Sequence, residues 1–169
     1  MRSFPAGGLA TAAVLMVADQ LAKLGVTHTL GLDAMNKARE VTPFFNLRFV
    51  ANQGVSLGLL HADDNATRWA LVALTGAISI GVAVWMFRER ERQDRVALGL
   101  ILGGALGNIV DRVRLGYVVD FADLHIGEWR PFLVFNIADA AITIGVLLLL
   151  VRAFLMREKR SDVSETPHA

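Results

Sequence analysis

The chain has 169 residues, 54% of them hydrophobic, and a mean hydropathy of +0.46. That is too apolar for an ordinary soluble domain, and the absence of cysteine excludes disulfides, thiolate metal sites and cysteine nucleophiles. The net charge of +1 names no partner, and the basic residues cluster beside apolar segments rather than forming a broad face, which argues against nucleic-acid binding.

The first apolar segment runs from about Gly7 to Thr29 and carries Asp19 and Lys23. Arg2 and the stretch after it look like a signal peptide. The apolar region continues through both charges to Leu30 without a small-residue cleavage site, so the segment is expected to be kept as a span. The loop 30–68 follows. Its stretch Phe44-Phe45-Asn46-Leu47-Arg48-Phe49-Val50 is rich in β-formers and partly alternates, which predicts one or two short strands. Asn52-Gln53-Gly54-Val55-Ser56-Leu57-Gly58 reads as a turn with special backbone angles. The second segment, Trp69 to Phe87, has no charge between Arg68 and Arg88 and is close to the ~20 residues that cross hydrocarbon. A third runs from Val96 to Leu115 and is uncharged until Asp111. The short loop 116–131 holds Trp129, an interfacial anchor. The fourth segment covers Phe132 to Ala153, with Asp139 its only charge before Arg152, and residues 158–169 form a polar tail expected to be disordered.

The expected architecture is a membrane all-α domain over residues 1–157. It has four transmembrane helices (7–29, 69–87, 96–115 and 132–153) and a small β-rich extracytoplasmic loop domain between the first two. A soluble four-helix bundle would need polar helix faces, which the second and fourth segments lack. Four spans place both termini on one side. Arg88, Arg90, Arg92 and Arg95, with Arg152, Arg157, Lys159 and Arg160, crowd that side, so the positive-inside rule puts the termini in the cytoplasm. Asp19, Lys23, Asn108, Asp111, Arg112, Asp120, Asn136 and Asp139 then all fall at the outer leaflet. Ionisable groups at bilayer depth are costly, and their gathering at one depth points to a site there.

Asp19 and Lys23, four apart, share a helix face and read first as a structural ion pair. A serine–lysine hydrolase with Ser56 as nucleophile is disfavoured, because Asp19 would keep Lys23 protonated. Asn108, Asp111 and Arg112 share one face of the third segment. Gly99, Gly103, Gly104 and Gly107 before them suit close helix packing, and Arg112 is expected to pair with Asp111 or another acid. Asp120 and Asp139 are the candidate chemistry, unless each merely caps a helix or pairs with Arg112 or Arg114. Two carboxylates sharing a site cannot both ionise readily, so one can activate water while the other supplies a proton. Asn136, one turn before Asp139, is placed to orient it. His28, His61, His125 and His168 show no paired spacing, so neither a metal nor another cofactor is expected.

These residues together resemble the lipoprotein signal peptidases, the type II signal peptidases of bacteria. The resemblance lies in Asp19-x-x-x-Lys23, Asn52-x-Gly54, the block Gly103 to Arg112, Val118-Val119-Asp120-Phe121 and Phe135-Asn136-x-Ala138-Asp139. It implies an intramembrane aspartyl protease of the cytoplasmic (inner) membrane. Its partners would be prolipoproteins bearing a diacylglyceryl thioether, cut just before the lipidated cysteine, and membrane lipid. It also implies Asp120 and Asp139 as the catalytic pair, Asn52, Asn108, Arg112 and Asn136 as supporting polar residues, and a small sheet on the membrane. Leu57 stands where the family often has an aromatic. The alternative from the residues alone is a small proton-coupled carrier. Four spans without an inverted repeat, and polar groups confined to one leaflet, argue against it. A structural scaffold would not require the two aspartates.

Overall fold

The computed structural model describes residues 4–35, 37–54 and 65–164, with side chains through residue 156. Ser56 and Leu57 lie outside the described residues, as do His61 and His168. In chain order the elements are α1 (Ala6–Leu24), β1 (Ala38–Thr42), β2 (Phe45–Asn52), α2 (Asn65–Arg88), α3 (Arg92–Leu115), β3 (Val118–Leu124) and α4 (Ile137–Ser164). α1 passes directly into a wide π-helical turn, Gly25–Thr29. The four helices are long and apolar enough to cross a membrane.

α3 is the central helix and packs on α1, α2 and α4. Its small residues make that possible. A Cβ on Gly103 would lie 2.5 Å from the carbonyl oxygen of Ala12 in α1, and one on Gly104 2.5 Å from that of Ala138 in α4. Without bulk at these positions the backbones touch, and dispersion holds helices that no hydrophobic effect drives together in lipid. Exposed Val14 and Leu21 on α1, Leu74 and Ile78 on α2, and Leu147 and Phe154 on α4 form the outward apolar surface.

The three strands form one antiparallel sheet in the order β1-β2-β3. β2 pairs with β3 so that Val50 opposes Asp120 and Asn52 opposes Val118. The sheet's core joins Phe49, Val119, Phe121 and Ala122 to Leu32 and to Val26 of the π turn. α1 and the sheet are thereby one packed unit.

The structure corrects several expectations. β3 comes from the loop between the third and fourth spans, so the sheet does not belong to the 30–68 loop alone. Its aspartates broke the apolar alternation, and Val118 to Asp123 are buried irrespective of face. The fourth helix starts at Ile137 rather than Phe132, because Phe135 exchanges backbone hydrogen bonds with Ala122 (2.8 and 3.1 Å) and is drawn onto β3. α2 and α3 start four residues before the expected spans, at Asn65 and Arg92. α4 continues to Ser164, through part of the tail expected to be disordered. Apolarity marks the hydrocarbon boundary, whereas Arg, Glu and Lys propagate a helix readily beyond it. α3 does stop where expected. Gly116 adopts φ +88 and donates its N–H to the Arg112 carbonyl, a left-handed cap that glycine takes without strain.

Candidate active site

The site forms where the end of α3, the start of α4 and strand β3 converge. Asp120 is 1% exposed, presented by β3. One carboxylate oxygen accepts Nδ2 of Asn136 at 2.6 Å, the other Nδ2 of Asn52 at 2.8 Å. Asn52 is held in turn, because its Oδ1 accepts the Gly54 N–H at 2.9 Å. Gly54 has φ +110, which glycine adopts without strain, and its Cβ position lies against a terminal methyl of Leu71 in α2.

Asp139 lies in the first turn of α4. Its Oδ1 accepts Nδ2 of Asn108 at 2.8 Å, and its Oδ2 accepts the Asn136 backbone N–H at 3.2 Å. Asn136 Oδ1 accepts the Asp139 N–H at 2.9 Å. The two residues thus cap α4 reciprocally, a capping box built with Asn and Asp. Asn136 does not sit one turn inside the helix, as expected; it precedes it. Its backbone orients Asp139 while its side chain orients Asp120, so one residue ties the two carboxylates together.

Beneath this layer lies a buried ion cluster. Lys23 pairs with Asp19 and with Asp111, each at 2.7 Å. It also donates to Asn108 Oδ1 at 3.2 Å, which fixes the amide so that its nitrogen faces Asp139. Asp19 accepts the Ala138 N–H at 3.0 Å, and Asp111 accepts the Val119 N–H at 3.1 Å. The ions therefore anchor the backbones of α4 and β3 next to the two carboxylates. The expected Asp19–Lys23 pair is present. Of the two alternatives for Arg112, Asp111 or another acid, Asp111 is taken by Lys23. The charge of Arg112 instead faces Asp139 first, then Asp120 and Asp111. Its Nε is buried with no hydrogen-bond partner among the described residues.

Burial is the main force pushing the Asp120 carboxyl up, to about 6. The charge of Asp139 raises it further, while the bonds from Asn52 and Asn136 and the charge of Lys23 oppose the rise. Two cations, Lys23 and Arg112, face four carboxylates, Asp19, Asp111, Asp120 and Asp139. A proton held on Asp120 reduces that imbalance.

A family model described as Signal peptidase (SPase) II matches residues 11–155. The chain belongs to the signal peptidase II family. It is 55% identical to the lipoprotein signal peptidase of Sphingopyxis alaskensis over 95% of this chain and 92% of that one. It is 43% identical to that of Beijerinckia indica over 90% and 89%. A solved structure described as a bacterial membrane enzyme superposes with a TM-score of 0.78 at 29% identity, covering 99% of this chain and 98% of that one. A second such structure gives 0.77 at 31% identity.

Every candidate residue (Asp19, Lys23, Asn52, Gly54, Asn108, Asp111, Arg112, Asp120, Asn136 and Asp139) falls in this one region. Two participants escaped the sequence. Gln20 donates to Asp111 at 2.9 Å, and Arg68 donates to the Arg112 carbonyl at 2.6 Å. Gln20 adjoins Asp19 and lies on the arc of Lys23, a signal that attention to charged residues alone passed over. Arg68 looked like an ordinary end-of-span charge.

Proposed function

We propose that this protein is an aspartic endopeptidase of the bacterial cytoplasmic membrane. It removes the signal peptide from diacylglyceryl-modified prolipoproteins, cutting before the lipidated cysteine, with Asp120 and Asp139 as the catalytic pair. Both termini are cytoplasmic and the pair stands at the outer leaflet. The observation that carries this reading is the joint suspension of the two carboxylates by Asn136, with an amide donor on each of their other oxygens.

The two acids have different surroundings, which suits different roles. Asp139 stands at the positive end of the α4 dipole, a favourable place for a carboxylate. Asp120 is buried in β3 and keeps its proton to about pH 6. A water between them gives a proton to Asp139 as its oxygen attacks the scissile carbonyl carbon. Asp120 passes its proton to the carbonyl oxygen, leaving a neutral gem-diol. Asp139 then protonates the leaving nitrogen, a gem-diol hydroxyl returns its proton to Asp120, and the C–N bond breaks. The products are the carboxyl end of the signal peptide and a free amine on the cysteine. Both acids are restored.

The carrier alternative needs a polar path to the other face. Between Arg95 and Asn108 the buried residues of α3 are Ala97, Leu98, Gly99, Leu102, Gly103, Gly104 and Gly107, all apolar, which favours a one-sided site.

The test gives purified protein a diacylglyceryl-modified precursor and follows cleavage by gel shift. Asp120→Asn and Asp139→Asn should each lose more than the ~10²–10⁴-fold of a single acid–base role, while still inserting in membranes. Substantial turnover by either variant removes that residue from the mechanism. The unlipidated precursor should be cut far more slowly even at saturation, because acyl chains already in lipid contribute position rather than affinity. Equal rates would refute lipid recognition.

A further inference from the structure

Arg68 lies in the first turns of α2 and reaches across to the end of α3. Its Nε donates to the Arg112 carbonyl at 2.6 Å and its Nη2 to the Val113 carbonyl at 2.5 Å. Its guanidinium also stacks over Trp69, 5.2 Å from the ring centre. The last carbonyls of α3 form the negative end of that helix, where a forked cation fits both charge and geometry. The Arg112 carbonyl also accepts the Gly116 N–H, so Arg68 braces the turn that releases the chain into β3 and Asp120. One turn further along α2, Leu71 closes over Gly54, whose Cβ position is also 3.9 Å from Arg112 Nη2. Gly54 holds Asn52, and Asn52 holds Asp120.

We propose that Arg68 is a positioning residue of the site. It clamps α2 to the end of α3, and so sets where Arg112 and the Asn52–Gly54 turn stand around Asp120 and Asp139. The proposal rests on the reading of those two acids as the catalytic pair. Arg68 touches no reacting atom. It acts through the Arg112 backbone and through Leu71 on Gly54, and its loss should appear as misplacement of groups otherwise intact.

The experiment compares Arg68→Gln, Arg68→Lys and Asp139→Asn with the wild type on the lipidated precursor. Rates are expressed per folded enzyme, as measured by size-exclusion chromatography in detergent. Arg68→Gln should lose about 10–10²-fold in kcat, the scale on which small displacements act, with KM held within about twofold. Arg68→Lys keeps the charge at the helix end but not the fork, so its kcat should fall between the two. If the glutamine variant does not fold, a lowered kcat in the lysine variant decides. Wild-type kcat per folded enzyme, or a loss confined to KM, would overturn the proposal while leaving the catalytic pair intact. An Asp139→Asn variant as active as the wild type would bring down the pair, and the proposal with it.

Discussion

Asp120 takes an amide donor on each carboxylate oxygen, and Asn52 supplies one of them at 2.8 Å. That bond favours the ionised form and opposes the rise that burial imposes. Removing it should therefore favour the proton. In Asn52→Ala the alkaline limb of the kcat/KM profile, which reports the free enzyme, should move to higher pH. An unmoved limb would show that Asp120 does not govern it. The same group links pH to stability. Its folded value of about 6 lies above the ordinary 3.8, so the folded state binds more protons between these values. Stability present below about pH 4 is then lost as pH rises toward about 6. Thermal unfolding in detergent should show this fall in the wild type, and Asp120→Asn should flatten it.

The start of α4 does two jobs with one residue. Asn136 caps the helix with Oδ1 and its backbone N–H, and holds Asp120 with Nδ2. Serine at this position can still cap but cannot reach Asp120 with an amide. Asn136→Ser should lose turnover, and some stability as well, because the buried Nδ2 bonds to Asn108, Val119 and Asp120 are gone. Asn136→Ala should lose turnover too, and a further ~0.5–2 kcal/mol of stability, the usual value of such a cap. Equal melting temperatures for the two would show that the cap contributes nothing. At the centre of the bundle, Gly103 meets the Ala12 backbone with no room for a Cβ. Gly103→Val should part α1 from α3, costing about 1–3 kcal/mol or more, and lower activity because α1 carries Lys23 to Asn108. Wild-type unfolding of that variant would contradict the close approach.

At the scale of the molecule, the sheet and the polar cluster lie at one end of the helices. At the other end Arg95 donates to the Glu89 carbonyl, and Arg152 pairs with Asp94. If the charge-rich end faces the cytoplasm, reporter fusions after Glu91 and Ala169 should read internal, and fusions near His61 and His125 external. An external signal at Glu91 would reverse the proposed orientation and move the site to the cytoplasmic leaflet.

Four apolar helices were legible in the sequence because a membrane span needs a long uncharged run and little else. Asp120, Asp139 and the asparagines near them were legible because polar residues at such depth stand out against that background. The Asp19–Lys23 pair followed from helical spacing alone. The third strand was not legible, since β3 is buried irrespective of face and has no alternation to read. The partners were not legible either. Spacing along α3 places Arg112 beside Asp111, but only packing of α1 against the glycines of α3 brings Lys23 to Asp111 and leaves Arg112 facing Asp139 and Asp120. Asn136 looked like a helical neighbour of Asp139 until the pairing of Phe135 with β3 moved the helix start past it. The sequence determined which groups are present and that they share one end of the protein. The tertiary structure decided which oxygen each amide holds, because such contacts cross between elements, and their geometry depends on side-chain volumes that no local pattern encodes.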